Sequence, residues 1–272
     1  MNRETITSRD NSLLRQARAV RDGKVEELIF IEGLRLAEEA LRSKLEIEAV
    51  IVSQELAQKE KAWGLINELE QTSIRLASIS EKLLESISYT KTPQGIVLLA
   101  SRPRTSEEHF EANQQEPVLV VIMHRINNPV NVGAILRTAE AAGATGVIAT
   151  QNTSDPLSPK SLRGAMGSAF RLPVWFGPTY DDALAWCHER GIQTICADVH
   201  ASTSYDQADW QRPSALILGP ESSGLSLEEI SVANEAVRIP MRGPAESLNV
   251  AVATGVLLYE AARQRTWGSS SG

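Results

Sequence analysis

The sequence is poor in cysteine: Cys187 and Cys196 are the only two among 272 residues. Nine residues apart and without a second pair, they supply neither a zinc-ligand spacing nor a disulfide framework, and they read as small buried apolar side chains. No apolar run approaches the roughly 18–20 residues that a membrane-spanning helix needs. The first ten residues lack the apolar core of a secretory signal, and their early acids fit a transit peptide poorly, so the cytoplasm is the expected compartment. Basic charge is not in excess either. The formal net charge of −7 excludes a protein that coats nucleic acid by bulk electrostatics, though not one that docks it through a local patch. Near the start, Arg3, Arg9, Arg15, Arg18, Arg21 and Lys24 face only Glu4, Asp10 and Asp22, and charge alone favours a solvated helix face there.

What is present is a globular composition, 42% hydrophobic and 22% charged, long enough for one large domain or two ordinary ones. The hydrophobic pattern changes near residue 110. Upstream, residues 32–41 predict an amphipathic helix, 47–52 a strand, 60–70 a helix, 74–79 a short strand and 96–100 a buried strand. This is a small α/β unit over 1–105. The polar stretch 101–116 has no apolar period, and a linker is expected at 106–116. From residue 117 to 266 the pattern becomes β/α alternation, followed by a flexible tail at 267–272. Strands are expected at 118–123, 146–150, 194–199, 215–218 and 236–239. Helices are expected from the Asn128-Pro129 start to Ala142, with Gly143 as its stop, at 181–190 and at 247–265. That alternation predicts a mostly parallel sheet with ligand loops at its carboxyl ends. After the first of these strands, where a dinucleotide fold would carry Gly-x-Gly-x-x-Gly, stands His124-Arg125-Ile126-Asn127-Asn128-Pro129, which argues against a nicotinamide enzyme.

Three segments of this half carry polar groups that packing does not require. In the first, Asn128 to Ala139, Arg137 lies four residues after Gly133, over a spot with no side chain. That leaves the guanidinium a path to a phosphate or carboxylate, unless it pairs with Glu140. In the second, Leu216-Ile217-Leu218-Gly219-Pro220-Glu221-Ser222-Ser223-Gly224-Leu225, a buried strand runs into a Gly/Pro/Ser loop, and Ser226 caps the next helix. Gly219 allows close approach of a ligand to the backbone. The third runs from Ile239 through Met241 and Ser247 to Gly255. There Ser247 is expected to open a helix of small residues, and Asn249 places an amide in its first turn that needs a partner.

In order and spacing these segments resemble the three signature motifs of the SpoU (TrmH-like) RNA ribose 2′-O-methyltransferases of the SPOUT superfamily. The likeness covers about residues 118–264. It rests on Asn131 and Arg137, on Leu218-Gly219-x-Glu221-x-x-Gly224, and on Ile239-Pro240-Met241 with Ser247-Leu248-Asn249 and Ala253-Thr254-Gly255. More loosely, Ile6-Thr7-Ser8-Arg9, Ile31 to Ala40 and Thr92-Pro93-Gln94-Gly95 resemble the L30e-like substrate-binding domain that accompanies it.

The resemblance implies an α/β fold with a deep trefoil knot, a feature that general rules of chain topology would not predict. It implies S-adenosylmethionine as cofactor, held by Leu218, Gly219, Gly224, Ile239, Met241, Leu248 and Asn249, with no metal and no membrane. It implies a homodimer whose two subunits share the active site, and a catalytic set of Arg137, Asn131, Glu221, Ser247 and Asn249. Arg137 then either takes the 2′-hydroxyl proton or stays charged and stabilises a forming alkoxide. Arg9, Arg35, Lys160 and Arg163 are expected to contact RNA. The L30e-like unit tilts the expected substrate to ribosomal RNA of the 23S type, the alternatives being a tRNA 2′-O-methyltransferase or a non-catalytic RNA-binding factor. An unrelated nucleotide-binding α/β enzyme is the remaining reading.

Overall fold

A computed structural model of the protein describes residues 3–114 and 117–267. By contact density the chain forms two compact units, one of residues 1–103 with 157–170, the other of 104–156 with 171–272.

The first unit contains β1 (Glu4–Thr5), α1 (Ser12–Arg21), β2 (Leu28–Glu32), α2 (Leu34–Arg42), β3 (Ile47–Ser53), α3 (Glu60–Glu70), β4 (Arg75–Ile79), α4 (Glu81–Ile87) and β5 (Ile96–Ser101). Its strands lie in the order β1-β4-β3-β5-β2. β5 runs antiparallel to both neighbours, while β1, β4 and β3 are parallel. One face of the sheet packs Phe30, Ile51, Val97 and Leu99 against Leu13, Leu14 and Ala17 of α1 and Leu84 and Ile87 of α4. The expected helix at 32–41 begins two residues late. Glu32 ends a strand that the apolar run Leu28-Ile29-Phe30-Ile31 drives into the core. Its buried carboxylate accepts from Tyr89 N (2.9 Å), Thr90 N (3.2 Å) and Thr90 Oγ1 (2.5 Å), so its desolvation is compensated.

The second unit opens with α5 (Glu107–Ala112), then β6 (Leu119–Met123), α6 (Pro129–Ala141) and β7 (Gly146–Ala149). The chain next makes α7 (Pro159–Ala165) and α8 (Ser168–Arg171), of which α7 and nearly all of α8 belong to the first unit. It continues as β8 (Val174–Phe176), α9 (Tyr180–Glu189), β9 (Gln193–Ala197), β10 (Thr203–Ser204), β11 (Ser214–Leu218), α10 (Leu227–Ser231), β12 (Glu235–Arg238) and α11 (Val250–Trp267). The strands order as β10-β12-β9-β11-β6-β7-β8, and every pairing among the described residues is parallel. The α6 boundaries are as expected. Asn128 Oδ1 accepts from Val130 N at 3.0 Å, Pro129 takes the first helical position, and Gly143 adopts a left-handed φ of +81°. Both cysteines are buried, and desolvation pushes each thiol up to about 12, as inert apolar side chains require.

Three expectations are corrected. The stretch 106–116 is not a bare linker. Ser106 caps α5, accepting from His109 N at 3.4 Å, and Phe110 is fully buried against Trp175 and Trp186, with ring centroids 6.3 and 5.2 Å away. A single aromatic among polar residues makes no period, so the pattern gave no sign of it; residues 115 and 116 lie outside the described ones. The last helix begins at Val250, not at Ser247, because Asn249 supplies the cap. Trp267 belongs to that helix, and the remainder of the expected tail, 268–272, lies outside the described residues. The short strands β8 and β10 carry too few residues for a period and went unread.

Phe110→Ala is therefore expected to destabilise the fold by about 3–5 kcal/mol, as truncation of a buried aromatic does. Urea unfolding checks it, and a loss under about 1 kcal/mol would show that α5 is peripheral.

Candidate active site

β6 and β11 are neighbours, but the chain leaves them in opposite directions. From β6 it moves to β7 and β8, and from β11 it passes β9 to reach β12. This is the switch point at which open parallel sheets place ligands, beyond the carboxyl ends of the strands. The first two polar segments emerge here side by side, Met123 being in register with Leu218. The third returns from β12 to α11, which packs on α6. At that crossing a Cβ on Gly255 would lie 3.7 Å from Thr138 Cγ2, so small residues let the helices approach.

One chain of hydrogen bonds joins the three segments. Glu221 accepts from Asn131 Nδ2 (3.0 Å), Asn128 N (3.3 Å) and Asn127 N (3.3 Å). Asn131, 8% exposed, accepts in turn from Asn249 Nδ2 at 3.2 Å. Asn249 Oδ1 accepts from Ala251 N (3.0 Å) and Val252 N (3.4 Å), capping α11. Both amide orientations follow from the ends of the chain, since a carboxylate only accepts and a helix N-terminus only donates. Asn249 thus has the partner its sequence position demanded.

A cleft of about 1130 Å³ opens beside this chain. Its lining includes Asn131, Leu218, Gly219, Glu221, Gly224, Ile239, Met241, Ser247, Leu248 and Asn249, so ten of the eleven residues assigned to catalysis or cofactor in the sequence meet around one space. Gly219 is required by close packing: a Cβ there would sit 2.8 Å from Leu225 N. Among the described residues, the backbone groups of 239–248 have no protein hydrogen-bond partner, although these residues line or border the cleft. Such a run needs water or a ligand to satisfy it. Asp198, Glu221 and Glu246 on the lining outnumber Arg238, which suits a cationic ligand. Asp198 and His200 were not singled out in the sequence. Their position just past β9, at a strand's carboxyl end, was the available signal.

Arg137 stands apart. It is exposed, has no ion pair or hydrogen bond among the described residues, and is not part of the cleft lining. The carboxylate that could have held it, Glu140, is paired with Arg171 at 2.6 and 2.8 Å. At 100° per residue Arg137 lies about 120° around α6 from Asn131. It shares an exposed stripe with Val130, Ala134 and Ala141, of which Ala134 is half-buried. On α11, which packs on α6, Val252 and Tyr259 are exposed, and Leu248 is exposed just before that helix.

The four basic residues expected to meet RNA, Arg9, Arg35, Lys160 and Arg163, are all exposed and all belong to the first unit. Arg35 lines a separate cleft of about 610 Å³ in which Arg42, Lys59 and Lys61 are matched by Glu38, Glu39, Glu55 and Glu81; Arg42 pairs with Glu39 and Lys59 with Glu55. The N-terminal basic run is partly neutralised: Arg3 pairs with Glu70, and Arg21 with Asp22.

Asn131→Asp replaces the donor to Glu221 by a second carboxylate. It is expected to cost about 1–3 kcal/mol at pH 7. The facing charges raise the folded-state pKa of the new carboxyl, so its deficit against wild type should shrink as pH falls from 7 to 5. Urea titrations at both pH values check this, and a pH-independent deficit would contradict the contact.

Residues 118–259 match the SpoU rRNA Methylase family, and residues 13–98 match the MRM3-like substrate binding domain. An uncharacterized tRNA/rRNA methyltransferase of Synechocystis is 32% identical over 98% of this chain and 96% of its own. A 23S rRNA (guanosine(2553)-2'-O)-methyltransferase of Bacillus subtilis is 31% identical over 85% of this chain and 86% of its own. Among solved structures, an AdoMet-bound rRNA methyltransferase from Sinorhizobium meliloti superimposes with a TM-score of 0.83 at 30% identity, covering 96% of this chain and 97% of that one. With three polar segments converging at the switch point and the match spanning both units, the chain belongs to the SpoU rRNA methylase family.

Proposed function

We propose that this protein transfers a methyl group from S-adenosylmethionine to a ribose 2′-hydroxyl of ribosomal RNA, of the 23S type, in the cytoplasm. The observation that carries the reading is the Glu221–Asn131–Asn249 chain at the edge of a cleft with unpaired backbone groups. S-adenosylmethionine, when bound, supplies a methyl already made electrophilic by its sulfonium. The residues here fit it: the unpaired main-chain groups of 239–248 would hold the adenosine, Gly219 lets Leu225 and Gly224 pack close along the lining, and the acidic lining favours a cation. The third segment, threaded as a trefoil knot in our reading, forms the wall of that pocket.

What remains for the protein is alignment and charge. Asn131 and Glu221, locked to one another, orient the ribose, and Ser247 and Asn249 hold the adjoining phosphate. Arg137 brings a planar guanidinium with a fork of hydrogen-bond donors. It stabilises negative charge on the ribose oxygen while the hydroxyl proton leaves to water.

Arg137 reaches the cleft of a second copy in our reading. Three features support this: the arginine lies off its own cleft, it has no partner among the described residues, and an exposed apolar stripe on α6 and α11 flanks it. A homodimer joined through these helices buries the stripe and completes two sites. The first unit, carrying Arg9, Arg35, Lys160 and Arg163, docks the RNA.

Arg137→Ala is expected to abolish transfer while leaving S-adenosylmethionine affinity, by calorimetry, within about threefold, since its assigned partner is the ribose oxygen and not the cofactor. Near-normal turnover would sink the catalytic assignment. Co-expression with an equally inactive Asn131→Ala chain tests the dimer. Half the dimers are mixed and each has one intact site, so about a quarter of wild-type activity should return. No recovery would place the arginine in its own subunit's site.

A further inference from the structure

His124 directly follows β6 and is 6% exposed. Its N–H donates to Leu218 O at 2.9 Å, so it sits at the switch point itself. The ring is held on three sides. Nδ1 lies 2.9 Å from Thr150 Oγ1, Nε2 lies 3.0 Å from Glu229 Oε1, and the Tyr180 ring of α9 packs against it, tilted at 43° with centroids 4.5 Å apart. Because Glu229 can only accept, Nε2 carries the proton, and the Thr150 hydroxyl donates to Nδ1 of a neutral ring. Burial lowers the imidazole below its ordinary value near 6.5, outweighing the Glu229 hydrogen bond that raises it; the Arg125 charge lowers it further.

Glu229 is the hub. Besides His124 it accepts from Arg125 Nη2 at 2.6 Å and from Ser226 N at 2.8 Å, and its own N–H is capped by Ser226 Oγ at 3.2 Å. Burial pushes its carboxyl up, but the Ser226 and His124 hydrogen bonds and the Arg125 charge together hold it below the usual range. Arg125 meanwhile occupies the left-handed region at φ +55°, a conformation that a residue with a side chain keeps only when its surroundings impose it.

The turn from His124 to Asn128 is thus gripped by two carboxylates, both from the segment after β11. Glu229 holds its start through two side chains, and Glu221 holds its end through the Asn127 and Asn128 N–H groups. Neither His124, Arg125 nor Glu229 lines the cleft. We propose that His124 and Glu229 are positioning residues for methyl transfer: their contact fixes the strained turn at Arg125, and the turn aims Glu221 at Asn131, which in turn holds Asn249. This rests on the cleft being the methyl-transfer site.

Loosening the clasp misplaces the aligned groups without removing a ligand contact, so it acts on kcat more than on KM. The test uses the full-length protein, with kcat and KM for S-adenosylmethionine and RNA measured beside urea unfolding. His124→Leu is expected to lose about thirtyfold or more in kcat, with both KM values within about threefold. His124→Gln, whose amide N–H still reaches Glu229, should regain about tenfold of that. Wild type should also lose turnover as pH falls from 7 to 5.5. A second ring proton then faces the charge of Arg125 and displaces the Thr150 donation, while Glu229 stays ionised and Tyr180 neutral; His124→Gln should flatten this limb. A normal kcat in His124→Leu, a loss carried wholly by KM, or no difference between Leu and Gln would overturn the proposal. Should His124→Leu not fold, Glu229→Gln decides: a comparable kcat loss supports the clasp and an unchanged kcat overturns it. Asn131→Ala separates the two levels. If it is inactive while His124→Leu is normal, only the clasp falls; if it too turns over normally, the reading of the cleft falls and the clasp with it.

Discussion

A carboxylate can only accept hydrogen bonds and a helix N-terminus can only donate them, and two asparagines are wedged between such a pair. From Glu221 through Asn131 and Asn249 to the first turn of α11, each amide has one allowed orientation. That polarity joins the loops after β6 and β11 to the start of the last helix. No aspartate can replace either asparagine without putting acceptor against acceptor. The chain also explains why Asn249, and not Ser247, caps α11. Only the longer amide can satisfy the helix with its oxygen and Asn131 with its nitrogen.

Much of this was legible because it follows from periodicity and from strand ends. The alternation of apolar strands with capped helices marked β6, α6, β7, α9, β9, β11 and β12 to within a few residues. The Asn128-Pro129 start and the Gly143 stop of α6 were read correctly, since cap chemistry is local. What escaped depends on tertiary partners. Phe110 anchors α5 only because Trp175 and Trp186 wait for it. Glu32 ends a strand only because Tyr89 and Thr90 supply its donors. The clasp of His124 on Glu229 spans 105 residues of sequence, and no local pattern announces it. Arg137 shows the limit most clearly: its spacing from Gly133 suggested a free guanidinium, but not that the guanidinium would lie off the cleft formed by the other motif residues.

Charge is divided as a methyltransferase of this kind would need. The cleft is lined by more carboxylates than bases, although its ligand must approach a polyanion. The exposed arginines and lysine assigned to RNA all belong to the first unit, two of them arriving with the segment 157–170 that the sequence places within the other half. A net charge of −7 is then no obstacle, because cofactor and RNA answer to different local fields.

The central claim is chemical, a methyl delivered to a ribose oxygen of ribosomal RNA. Mapping ribose methylations across total RNA from cells with and without the gene tests it most directly. The account predicts one 2′-O-methyl nucleotide lost from the large-subunit rRNA and restored by the wild-type gene but not by a chain carrying Arg137→Ala. A site lost from tRNA alone, or a methyl lost from a base, would contradict it.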